Sequence, residues 1–157
     1  MAATGRRTRK GNNTMQINEI MTKDIKTVSP TSTAKDAASF MLSEDTGFVP
    51  VCDGTKLVGT ITDRDIAVRG VASGKGADCS VSELMSDSPV FLSVNDTIED
   101  AAMKMRESQV RRLPVIGENQ ELVGVVSLGD IARETGQSYD EMALEGVSEK
   151  GGQHQQG

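Results

Sequence analysis

Two short stretches carry the side chains best suited to recognise a ligand. Thr62 is followed three positions on by Asp65 in TITDRDIA, and Ser127 by Asp130 in VVSLGDIA. A carboxylate offers two acceptor oxygens and a hydroxyl both donates and accepts, a set that suits a vicinal diol such as that of ribose. The same spacing at a strand-to-helix junction is also an ordinary capping pattern. In that reading the hydroxyl caps the helix and the acid favours the positive end of its dipole. Arg111 and Arg112 are the next candidates. Guanidinium forks match phosphate oxygens, while a solvated pair at a strand end is the plainer reading. Arg64, inside TDRD, is either a further phosphate contact or a surface helix residue.

Other chemistry finds little support. The single histidine, His154, sits in the polar stretch GGQHQQG and has no partners for metal or nucleophile chemistry. Cys52 and Cys79 form no CxxC pair and have no histidine nearby, so a zinc site is not expected. They read as two reduced thiols, with a disulfide as the alternative. No activated nucleophile, metal cluster or phosphate-cradling glycine loop is evident, so an enzyme is not expected. The net charge is −6, but residues 1–14 hold Arg6, Arg7, Arg9 and Lys10 and no acid, which leaves −10 on the rest. An acidic body with 3% aromatic residues is poorly suited to phosphate backbones and base stacking. No apolar run approaches the ~18 residues of a membrane span. With no apolar leader at the N-terminus, a cytoplasmic protein is expected.

The elements that position these residues are written twice. LVGTITDRDIA (57–67) is answered by LVGVVSLGDIA (122–132), 65 positions on. Before the hairpin turn the offset is 64: Met21 pairs with Met85, Met41 with Met105, and Pro50-Val51 with Pro114-Val115. In the first copy INEIM reads as a short helical turn and Lys26 to Ser29 as a strand ending at Pro30. Apolar residues at 34, 37, 38, 41 and 42 then predict an amphipathic helix capped by Ser32 or Thr33. Phe48 to Cys52 and Leu57 to Thr62 predict a hairpin turning at Asp53-Gly54. A closing helix is predicted over Asp63 to Ala72, with Ile66, Ala67 and Val71 on one side. Each copy therefore reads strand, helix, strand, strand, helix. The expected division is a disordered basic tail over 1–14, motif 1 over 15–76, motif 2 over 77–138, and a C-terminal extension and polar tail over 139–157. The extension can add a short helix through Met142, Ala143 and Leu144. The recurring methionines read as core, with an adaptable wall around a purine as the alternative.

With these residues in view, the chain resembles the CBS motif family. VGTITDRDI and VGVVSLGDI, each behind a proline-bearing strand (FVPVC, RRLPVI), carry the likeness, and two motifs in register resemble a Bateman module. The arrangement is similar to small stand-alone bacterial CBS-pair proteins, including hypoxic-response proteins. VRRLPVI with VGVVSLGDI also resembles the regulatory γ subunit of AMP-activated kinase. The resemblance implies an α/β fold of tandem β-α-β-β-α motifs related by a pseudo-twofold axis, with two three-stranded sheets. It implies two related clefts that hold adenosine compounds such as AMP, ADP, ATP or S-adenosylmethionine, and a disc-like homodimer.

Carried over by residue, Thr62, Asp65, Ser127 and Asp130 would bind ribose, and Arg111, Arg112 and Arg64 phosphate. The positions matching Arg111 and Arg112 in the first copy are Gly47 and Phe48, which carry no charge. One cleft would then combine Thr62 and Asp65 with the two arginines, and the other Ser127 and Asp130 with Gly47 and Phe48. The expected function is a non-catalytic, energy-sensing regulatory module with no obligatory cofactor, acting in trans on an unknown protein partner. The alternative is a ligand-free dimerisation or scaffold module.

Overall fold

A computed structural model describes residues 15–137 of the 157. The basic segment 1–14, the helix expected through Met142 to Leu144, and His154 lie outside the described residues. The chain is mixed α/β, in the order α1 (Ala34–Glu44), β1 (Phe48–Asp53), β2 (Lys56–Thr62), α2 (Asp63–Asp65), β3 (Leu92–Ser93), α3 (Ile98–Ser108), β4 (Arg112–Ile116), β5 (Leu122–Ser127) and α4 (Leu128–Thr135). Two compact units result. Of the described residues, unit 1 holds 15–23, 90–115 and 124–137, and unit 2 holds 24–89 and 116–123.

In unit 2, α1 starts where its sequence demands. Thr33 accepts from the Asp36 N–H at 3.1 Å, and the Asp36 carboxylate accepts from the Thr33 N–H at 3.0 Å, so two orphan donors at the helix start are satisfied. Its buried face is Ala34, Ala37 and Met41, three of the five positions in the predicted stripe; Ala38 is exposed, and Leu42 is turned out and 84% exposed. That face packs on Val49, Val51 and Ile61 of the antiparallel hairpin β1–β2. The hairpin turns at Gly54, whose φ of 68° is a conformation that glycine adopts without steric cost.

The strand expected over Lys26 to Ser29 shrinks to one bridge, Val28 to Val51. Val28 donates to the Pro50 carbonyl at 3.2 Å and accepts from the Cys52 N–H at 2.9 Å. Continuing this parallel ladder towards Lys26 would need an N–H on Pro50, which proline lacks. The expected three-stranded first sheet is therefore two strands and a bridge.

The closing helix of the first copy also differs from expectation. After α2 the chain widens into a π turn (Ile66–Gly70) and tightens into a 3₁₀ turn (Val71–Ser73). Ile66 packs on the core, but Ala67 is exposed and Val71 is 71% exposed. The inward position is Gly70, where an added Cβ would sit 3.4 Å from Leu84. Gly70 is thus the residue packed beside Leu84, and Val71, one position on, is turned away from the core.

Unit 1 repeats the plan with α3 and α4 packed together and a sheet in the order β3-β4-β5. Thr97 and Asp100 form the same capping box at the start of α3. Here the closing helix is regular, burying Leu128, Ile131 and Ala132.

Each unit also takes in the leading turn of the other repeat. The 3₁₀ turn Ile17–Glu19 belongs to unit 1: Ile17 is fully buried, and Thr22 exchanges two backbone hydrogen bonds with Val125 at 2.9 and 3.0 Å. The matching turn Val81–Glu83 belongs to unit 2: Val81 is fully buried, and Ser86 exchanges two with Thr60 at 2.9 and 3.1 Å. Met21 thereby lies over Gly124, and Met85 over Gly59.

Candidate functional site

Both Thr/Ser-x-x-Asp pairs sit where a strand becomes a helix, and both form complete capping boxes. In unit 2 the Thr62 N–H donates to Asp65 Oδ2 at 2.9 Å, and the Asp65 N–H donates to Thr62 Oγ1 at 3.1 Å. In unit 1 the Ser127 N–H donates to Asp130 Oδ2 at 2.9 Å, and the Asp130 N–H donates to Ser127 Oγ at 3.1 Å. The capping reading thus holds at each site, and it fixes each carboxylate with Oδ2 turned to the backbone.

The boxes differ at the other carboxylate oxygen. Asp130 Oδ1 is held by the Arg133 guanidinium one turn on, an exposed side chain in contact at hydrogen-bond range. Asp65 Oδ1 has Arg69 Nε at 3.9 Å, beyond hydrogen-bond distance. Arg69 is drawn off by two main-chain carbonyls: its Nη1 donates to Leu84 at 3.2 Å and to Met85 at 3.1 Å. Asp65 therefore keeps an acceptor oxygen aimed away from the capping bonds, on a side chain 19% exposed.

Arg111 and Arg112 lie exposed at the start of β4. The Arg111 carbonyl accepts from the Leu128 N–H at 2.8 Å, which latches the strand to the first residue of α4, next to the Ser127–Asp130 box. The first copy has the same latch: the Gly47 carbonyl accepts from the Asp63 N–H at 3.0 Å. Here no cation stands at the strand start. Instead the Asp63 carboxylate lies over Gly47, so that a Cβ on Gly47 would meet Asp63 Oδ2 at 2.6 Å. Asp63 was not among the residues singled out from sequence, because only the backbone latch brings it to Gly47. Arg64 is exposed on the same helix start. Thus Thr62, Arg64 and Asp65 belong to unit 2, and Arg111, Arg112, Ser127 and Asp130 to unit 1.

The methionines divide. Met41 and Met105 are buried in the cores, whereas Met21 and Met85 are half-buried on Gly124 and Gly59. Cys52 and Cys79 are free thiols, and burial pushes the Cys52 thiol above its ordinary pKa. Unit 2 also holds an apolar cavity of about 230 Å³ between Ala34, Ala38, Ile66, Leu84 and Cys79. It contains none of the candidate residues. Among the described residues no three His, Cys, Asp or Glu gather as a metal site, and no helix is long and apolar enough to cross a membrane.

Comparison with known proteins identifies the family and the fold. The CBS domain family model matches residues 17–70 and again 81–136. The CBS domain-containing protein YhcV of Bacillus subtilis is 43% identical over 116 residues, which cover 74% of this chain and 82% of that protein. Hypoxic response protein 1 of Mycobacterium tuberculosis is 39% identical over 117 residues, covering 73% and 81%. Among solved structures, hypoxic response protein I with two coordinated zinc ions superposes with a TM-score of 0.71 at 38% identity, covering 76% of this chain and 98% of that one. CBSX2 of Arabidopsis thaliana in complex with AMP gives 0.70 at 26% identity, covering 77% and 96%. A CBS domain pair in complex with 5-methylthioadenosine and S-adenosyl-L-methionine gives 0.69 at 25% identity, covering 78% of this chain and 97% of that one.

Proposed function

This chain belongs to the CBS domain family, and from that premise we propose that it is a non-catalytic module that senses an adenine nucleotide and signals in trans to a protein partner. The observation that carries the reading is Asp65 Oδ1, which lies outside the capping bonds and meets Arg69 at the longer ion-pair distance of 3.9 Å. The capping bond to Thr62 sets the carboxylate, and Oδ1 stays available to accept from ribose hydroxyls. Related CBS proteins solved with AMP, or with S-adenosyl-L-methionine, make an adenosine compound the natural ligand class. Arg111 and Arg112 supply the charge that a phosphate needs. The mechanism is population shift: the ligand favours one conformation, and the partner responds as far as it binds the two conformations unequally.

The test compares Asp65→Ala with Asp130→Ala. Each removes a cap, so each should cost about 0.5–2 kcal/mol of stability. Only Asp65→Ala should weaken AMP binding, by roughly tenfold or more, or about 1.4 kcal/mol. Asp130 already spends its second oxygen on Arg133. Calorimetry on both variants, with stability measured in parallel, separates cap from ligand. Equal losses of affinity would refute the difference between the boxes. No loss in either would leave the second reading, a ligand-free scaffold, for which the boxes serve as helix caps closed by hydrogen bonds within the chain.

The same reading includes a homodimer. α1 presents Leu42 outward at 84% exposure, and Val68 and Val71 are also exposed in unit 2. A closed C2 assembly is the commonest way to cover such a surface. Light scattering after size exclusion should give twice the chain mass of 16.7 kDa; a monomeric mass at micromolar concentration would contradict it.

A further inference from the structure

The two copies build one latch with opposite charge. In each, the carbonyl at the strand start accepts from the first N–H of the closing helix: Gly47 from Asp63 at 3.0 Å, and Arg111 from Leu128 at 2.8 Å. In the second copy the carbonyl residue is a cation and the helix residue is apolar. In the first copy the carbonyl residue has no side chain, and the helix residue is an acid whose carboxylate covers it. Gly47 does not have a positive φ, so its backbone would accept another residue if the carboxylate were moved. The obstacle there is a side-chain terminus rather than backbone.

We infer that Asp63 is a specificity-determining residue that makes the first copy's strand start refuse phosphate, so that the chain takes one phosphorylated ligand instead of two. This rests on the nucleotide reading above. The physical cause is like-charge repulsion. A phosphate at that position would meet the Asp63 carboxylate, where the second copy offers Arg111 and Arg112. Arg64, the residue after Asp63, is exposed and is a single cation against the two arginines of the second copy. Adenosine itself carries no charge to be repelled, so the refusal is selective for phosphate over the bare nucleoside.

The experiment grafts the second copy's pair onto the first, as Gly47→Arg with Asp63→Leu, and titrates AMP and adenosine into the full chain by calorimetry. The expected result is one AMP per chain in the native protein and two in the double variant, with adenosine binding the same in both. One AMP in each would overturn the role of Asp63 and leave the nucleotide reading standing. Two AMP in the native protein would do the same. No AMP in the native protein but one in the double variant would support Asp63 and reject the arginine clamp, and none in either would reject both. Thermal unfolding of the variant checks that it folds. If it does not, Asp63→Asn decides the matter: a second AMP per chain, absent from the native protein under the same conditions, is expected, and one AMP per chain in the variant overturns the inference.

Discussion

Replacing Arg111 and Arg112 together by alanine is expected to cost AMP about 10- to 100-fold in affinity while leaving adenosine nearly untouched. A hydrogen bond to a charged group is worth about 1.5–3 kcal/mol, and a factor of ten corresponds to about 1.4 kcal/mol. Both arginines are exposed at the start of β4, so their truncation leaves no buried cavity. The latch to α4 uses the Arg111 carbonyl and survives in alanine. Stability should therefore hold while phosphate recognition is lost. The native preference for AMP over adenosine should also fall as salt is raised, since exposed charges are screened. Equal native affinity for AMP and adenosine would remove the arginines from the phosphate role.

A second large effect is expected at Gly59 and Gly124, this time on stability. A Cβ on Gly59 would lie 2.6 Å from the Ser86 carbonyl oxygen and 2.8 Å from Met85 Sδ; on Gly124 it would lie 2.5 Å from Met21 Sδ and 3.0 Å from the Thr22 carbonyl oxygen. The methionines can bend away, but the carbonyls belong to the backbone pairs Ser86–Thr60 and Thr22–Val125. Overpacking of this kind costs about 1–3 kcal/mol, and valine should reach the upper end. A loss near 3 kcal/mol lowers Tm by roughly 6–12 °C in a chain of this size. Gly54→Ala is a useful contrast, because its cost comes from a positive φ with nothing within 4 Å. Thermal unfolding of Gly59→Val and Gly124→Val measures the effect, and a Tm within 2 °C of native for both would show that the leading turns yield without strain.

What could be read from sequence follows from range. The capped helix over Ala34–Glu44 was legible because Thr33, Asp36 and the apolar stripe act within one or two turns. The hairpin was legible because Asp53-Gly54 dictates its own turn. The pairing of Gly59 with Gly124, and of Met21 with Met85, was visible as repetition. Its meaning was not, because Met85 meets Gly59 and Met21 meets Gly124 only after the leading turns have changed places. The loss of the Lys26 strand turns on one missing N–H at Pro50, a residue far along the chain. The alternation of capping and ligand roles at Thr62 and Asp65 could be posed from sequence. The longer Arg69 contact at Asp65 Oδ1 depends on Arg69 being drawn to the carbonyls of Leu84 and Met85, which no local pattern announces.

The exchange of leading turns has a consequence for synthesis. Val81 to Ser86 emerge from the ribosome after Ser32 and Thr60, the groups on which they seat, are already made. Ile17 to Thr22 emerge first, yet their seats at Asp96 and Val125 come last. At about 5–20 residues per second, the roughly 100 residues between them take about 5–20 s to translate. Through that interval Ile17 and Met21 are apolar side chains without the surface that covers them, while Val81 has its own within moments. The nascent chain is thus asymmetric in time, and its N-terminal turn is the part that must be kept from misassociating until the second copy arrives.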